Sequence, residues 1–134
     1  MKLEKLLSSL SYEILKGTVN IEIDDIIYDS RKVVKGTAFV CLKGFNTDGH
    51  KYAQDAIEKG ASALIVSDEV KTDADITIIK VENTRAALAV MSTVLFENPA
   101  EELTTIAVTG TKGKTTTVAM IRSILECAEL KQAP

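Results

Sequence analysis

Residues 108–117 read Val-Thr-Gly-Thr-Lys-Gly-Lys-Thr-Thr-Thr. An apolar, β-branched run at 103–109 leads into Gly110. A helical pattern then starts near Lys114, with apolar residues at 118, 121, 124, 125 and 128. Strand, glycine turn and helix in that order are the setting of a phosphate-binding loop, and the residue types suit that chemistry. Gly110 and Gly113 let the backbone curl so that successive N–H groups face one anion. The helix start adds partial positive charge. Lys114 is placed to reach the β- and γ-phosphates of a nucleotide, and the Thr115 hydroxyl to ligate Mg²⁺. The pattern G-x-x-x-x-G-K-[ST] is not met in full, because Val108 stands where its first glycine belongs.

Upstream of this loop, strand and helix signals alternate, which predicts an α/β fold. Residues 37–42 form a β-rich run entered through Gly36. Asp48-Gly49 opens a helical pattern on Tyr52, Ala53, Ala56 and Ile57 that Gly60 stops. Residues 63–66 and 76–81 read as short apolar strands. Asn83 is placed to cap a long helix through Phe96, which Asn98-Pro99 ends. Residues 1–10 read as a short amphipathic helix, and 21–27 as one or two strands. Residues 99–102 form the expected boundary between a first domain, 1–98, and the start of a second, 99–134. The second stretch holds only a strand, a loop and a helix. That is too little for a domain, so the chain is expected to begin a central domain and stop within it.

The 134 residues are 46% hydrophobic with a formal net charge of -3, which suits one ordered domain and argues against disorder. The 16 Lys and Arg are scattered and there is no Trp among few aromatics, so neither a duplex-binding face nor a base-stacking platform is expected. No apolar run nears the roughly 18 residues that span a bilayer, and the N-terminus lacks the apolar core of a secretion signal. Cys41 and Cys127 match no metal or redox spacing and are expected to be reduced thiols in a cytoplasmic protein.

Residues 109–117 closely resemble the ATP loop of the Mur ligases, which commonly carries Asn where this chain has Lys112 and which lacks the first glycine as this chain does. Tyr28-Asp-Ser-Arg31 with Val34-Lys-Gly36 and Phe39-Val40 resembles the opening motif of the MurE and MurF types. Lys43-Gly-Phe-Asn-Thr-Asp-Gly-His50 resembles their second motif, and Ala56-Ile-Glu-Lys-Gly-Ala61 their third. Thr47-Asp-Gly-His50 and the triple Thr favour the MurE type.

The resemblance implies a small mixed α/β domain that binds the UDP end of UDP-N-acetylmuramoyl-L-alanyl-D-glutamate, followed by the first strand, phosphate loop and helix of a truncated parallel-sheet ATPase domain. Tyr28, Ser30, Phe45, Asn46 and Thr47 would line the UDP pocket. Gly110, Thr111, Lys112, Gly113, Lys114, Thr115 and Thr116 would hold ATP, with Lys114 catalytic and Thr115 on Mg²⁺. The parent would phosphorylate the D-glutamate carboxylate and let a diamino acid attack it. This stretch, without the rest of the machinery, is expected to bind substrate but not to turn over. Some roles stay open. Asp29-Ser30 could make a side-chain–backbone turn, and Arg31 could be a surface cation or a partner for Asp29. His50, in the first turn of a helix, suits a structural role more than a catalytic one. The rival readings are a MurF-type ligase, a folylpolyglutamate synthase and a non-catalytic phosphate-binding module. Neither nucleic acid nor a membrane is an expected partner, whereas self-association through the apolar segment after residue 102 is.

Overall fold

A computed structural model describes residues 1–98, 101 and 103–130. The chain divides into two compact units, Met1–Pro99 and Ala100–Pro134. Residues 99, 100 and 102, on which the expected boundary falls, lie outside the described residues.

The first unit is built on a five-stranded sheet in the order β1-β5-β4-β3-β2. Its strands are β1 (Tyr12–Lys16), β2 (Asp25–Ile27), β3 (Thr37–Val40), β4 (Ala63–Val66) and β5 (Thr77–Val81). β2 to β5 run parallel, and β1 pairs antiparallel with β5. The central strands, Thr-Ala-Phe-Val and Ala-Leu-Ile-Val, are buried at every position. Such unbroken apolar runs are expected of parallel strands covered on both faces.

The period-2 alternation of side chains sorts these strands into two cores. Ala38, Val40, Ala63, Ile65, Ile79 and Val81 face one side, where α1 (Leu3–Leu6) and α3 (Thr84–Leu95) cover them with Leu3, Leu6, Ala87 and Met91. Phe39, Cys41, Leu64, Val66 and Ile78 face the other, under Ala53 and Ala56 of α2 (Ala53–Glu58). Each large aliphatic or aromatic side chain so buried contributes about 1.5–3 kcal/mol relative to exposure.

Three expected elements form with small changes. The helix opened by Asp48 begins as a 3₁₀ turn, Gly49–Tyr52, before α2. The expected Asn83 cap forms: its side chain accepts from the N–H groups of Arg85 (3.0 Å) and Ala86 (3.1 Å). The N-terminal helix is a single turn, and only 25–27 of the expected 21–27 strand region forms a strand. β1 had no sequence signal. It is an edge strand, exposed along most of its length, so no apolar stripe marks it.

In the second unit α4 spans Lys114–Cys127, the helix expected there, and none of its residues is buried. The strand expected at 103–109 is not formed; those residues are irregular and almost all exposed. A strand satisfies its N–H and C=O groups only against a neighbour, and among the described residues of the second unit there is no strand for this segment to pair with.

Candidate functional site

Because β2 to β5 are parallel, their carboxyl ends open on one edge of the sheet, the edge at which open α/β sheets commonly bind ligands. Tyr28, Asp29 and Ser30 follow β2, residues 42–49 follow β3, Ser67 and Asp68 follow β4, and Asn83 follows β5. β2 and β3 are neighbours in register, Ile27 opposite Phe39. The topology thus brings the first and second sequence motifs to adjacent strand ends.

After β2, the Asp29 side chain accepts from the Arg31 backbone N–H (3.0 Å) and from its guanidinium through Nε (2.9 Å) and Nη2 (2.7 Å). Both open readings of this pair are realised: Asp29 makes the turn and is Arg31's partner. The Arg31 hydrogen bonds hold the partly buried Asp29 carboxyl down to about 2. Ser30 starts the 3₁₀ turn Ser30–Lys32, and its carbonyl accepts from Lys59 Nζ at 2.8 Å. Lys59 also pairs with Asp55 (2.9 Å), which tethers the turn to α2. Tyr28 is exposed beside it.

After β3, residues 42–49 form a miniature hairpin. Gly44 N–H donates to the Thr47 carbonyl (2.8 Å), Gly49 N–H donates to the Leu42 carbonyl (2.7 Å), and Lys43 bridges Asp48. Phe45 and Asn46 form its tip, with the Phe45 ring wholly in solvent. At its foot Gly49 is packed so closely that a Cβ would lie 2.6 Å from Leu42 N and 2.7 Å from Leu42 O. Arg85 Nη2 donates to the Lys43 carbonyl (3.2 Å), and Lys43 Nζ forms an ion pair with Asp68.

His50 lies beneath this hairpin with its side chain only 9% exposed. Nε2 faces the backbone N–H groups of Ser67 (3.1 Å) and Asp68 (3.2 Å). Two donors require an acceptor, so Nε2 is unprotonated and Nδ1 carries the hydrogen, which it donates to Asp48 Oδ1 at 2.6 Å. Asp48 Oδ1 also accepts from His50 N–H (3.0 Å). These bonds hold the Asp48 carboxyl below its ordinary value. Asp48, His50 and Asp68 are also close enough to suggest a cation site. Yet the Nε2 lone pair is already engaged and Asp68 is paired with Lys43, so the trio is a brace between the hairpin and the end of β4. Sequence gave no sign of it beyond Asp48 preceding a helix, because Ser67 and Asp68 are distant in the chain.

Cys41, behind the hairpin, is buried, and burial pushes its thiol up to about 12; Cys127 is exposed. Both are free thiols.

The phosphate loop lies wholly in the second unit. Gly113 caps α4 with φ 77°, a left-handed conformation that costs glycine little. Thr117 closes the first turn, its Oγ1 donating to the Gly113 carbonyl at 2.9 Å. Gly110, Thr111, Lys112, Lys114, Thr115 and Thr116 are all exposed around the helix start. The Thr115 hydroxyl, a hard oxygen donor one residue inside the helix, suits Mg²⁺ chemically.

Residues 22–112 match the family model described as "Mur ligase family, catalytic domain". The chain is 52% identical over 128 residues to the UDP-N-acetylmuramoyl-L-alanyl-D-glutamate--2,6-diaminopimelate ligase of Clostridium perfringens, covering 96% of this chain and 26% of that protein. It is 46% identical over 134 residues to the ligase of the same name from Clostridium tetani, covering 98% and 28%. Among solved structures it is similar to MurF from Acinetobacter baumannii (TM-score 0.66, 33% identity, 93% of this chain, 27% of that one). It is also similar to a MurF ligase from Thermotoga maritima in complex with ADP (TM-score 0.54, 30% identity, 76% and 23%). The chain thus spans about a quarter of the length of the relatives it matches. Among the described residues no helix is long and apolar enough to cross a membrane.

Proposed function

Given that the chain belongs to the Mur ligase family, we propose that its first unit binds the UDP end of a UDP-N-acetylmuramoyl-peptide. In this reading residues 1–98 are the substrate domain, and 99–134 open the ATP-binding domain of the whole protein. The whole protein then joins a diamino acid to UDP-N-acetylmuramoyl-L-alanyl-D-glutamate in the cytoplasm, at the expense of ATP. The observation that carries the reading is the meeting of Tyr28 and Ser30 with the 42–49 hairpin at neighbouring strand ends. There Ser30 offers a hydroxyl that both donates and accepts, and Phe45, Asn46 and Thr47 stand free on the hairpin.

The relatives at 52% and 46% identity carry the diaminopimelate ligase name, whereas the MurF structures stand at 33% and 30%. That gap favours the MurE-type reaction over the MurF type, and the UDP motifs stand against a folylpolyglutamate synthase. In the second unit, Gly110 to Thr116 would hold the phosphates of ATP, Lys114 would offset charge on the transferred group, and the Thr115 hydroxyl would be a ligand for Mg²⁺. When bound, the ion supplies neutralisation of phosphate charge; the chain's own contribution is the helix start and the lysine.

The test is a titration of the ¹⁵N-labelled chain with UDP. Shift changes are expected at 28–31 and 44–50. No change at millimolar UDP, or changes confined to 110–116, would overturn the assignment.

A further inference from the structure

We propose that His50 is a positioning residue for the UDP site: a neutral imidazole that braces the 42–49 hairpin against the end of β4. The inference rests on the reading that this hairpin contacts UDP. Three ties hold the hairpin, and they are not equal. The Lys43–Asp68 ion pair is about half exposed at both partners, and pairs of that kind contribute little and are screened by salt. Arg85 reaches a single carbonyl from an exposed position. His50 is nearly buried and joins three places at once: Asp48 at the hairpin's foot, and the backbone N–H groups of Ser67 and Asp68 at the next strand end. Without it, those two N–H groups and the Asp48 carboxylate would need new partners in a partly buried site.

The brace is directional. Nε2 works only as an acceptor; a proton there would set a third N–H against the two it faces. The charged groups around the ring are Asp48 on its own segment, Lys43 across the hairpin and Asp68 at the end of β4. Both carboxylates are engaged already, Asp48 by His50 and Asp68 by Lys43. Hairpin order, and with it UDP affinity, is therefore expected to fall when the acceptor at this position is removed.

The experiment compares the full chain with His50→Ala and His50→Gln. The Gln oxygen can accept from Ser67 and Asp68 and cannot be protonated. UDP titration should show the Kd raised roughly tenfold in His50→Ala and within about threefold of the parent in His50→Gln. An unchanged Kd in His50→Ala, or a Gln variant as weak as Ala, overturns the proposal. Should His50→Ala fail to fold, His50→Gln decides: a Kd well above about threefold that of the parent overturns the proposal. Should the parent itself not bind UDP, the functional reading fails and the brace is judged on the free protein. Amide exchange at Gly44 and Gly49 must then be faster in His50→Ala than in the parent and restored by Gln; equal rates in all three overturn it.

Discussion

At the scale of single residues, the site depends on side chains whose partners fix their state. Asp48 is the clearest case, because its carboxylate accepts from the His50 backbone and from the His50 ring. Its folded value is held below the ordinary one by those bonds, chiefly the backbone bond. A depressed carboxyl stabilises the fold above its unfolded value, and that contribution is lost as pH falls through the folded value. The unfolding midpoint should therefore drop as the solution is acidified below about pH 4. Asp48→Asn should flatten that acid limb while lying below the parent at neutral pH. Parallel curves for the two proteins across the acid range would show that Asp48 does not contribute. The same logic explains why His50 reads differently in sequence and structure. A lone histidine after Asp-Gly says only that it sits near a helix start, whereas its tautomer is set by the N–H groups of Ser67 and Asp68, just after β4.

At the scale of elements, local signals and packing agree wherever an element has something to pack against. α3 shows this: Asn83 caps it through two N–H groups, and Ala87 and Met91 bury into the core beside α1. Loss of the cap by Asn83→Ala should cost about 1 kcal/mol, read as a lower urea midpoint with unchanged slope. A midpoint equal to the parent's would mean that packing alone holds the helix start. The parallel strands β3 and β4 were legible because burial on both faces writes an unbroken apolar run. β1 was not, since a strand paired on one edge and exposed along most of its length needs no apolar pattern. Residues 103–109 fail in the opposite sense: their apolar, β-branched composition fits a strand, but the described residues of the second unit include no strand to pair with them.

At the scale of the whole molecule, the two units differ in how far their elements are buried. The first has a sheet covered on both faces. The second carries a phosphate loop and a helix without a single buried helical residue, with Val118, Met120 and Ile124 exposed. A phosphate loop works by holding several N–H groups on one point, and an unpaired approach to Gly110 supplies little of that rigidity. The 134-residue chain should therefore bind Mg·ATP only weakly. Calorimetry decides it: micromolar affinity abolished by Lys114→Ala would mean that the loop is preorganised without a sheet around it.

The sequence by itself determined what depends on neighbours in the chain. It carried the glycine–Lys–Thr order of the phosphate loop, the span of α4, the Asn83 cap and the unbroken apolar runs of β3 and β4. It also carried the motif residues Tyr28, Ser30 and 45–47, which no local rule could place together. Tertiary structure decided everything that needs a distant partner. It set parallel pairing that brings the ends of β2 and β3 to one edge, Lys59 holding the Ser30 turn, and Ser67 and Asp68 fixing the His50 tautomer. It also decided that 103–109 stays irregular. The physical reason is common to all four: a backbone N–H or C=O, or a buried ring nitrogen, is satisfied by whichever group the fold brings within about 3 Å, and chain separation does not encode that proximity.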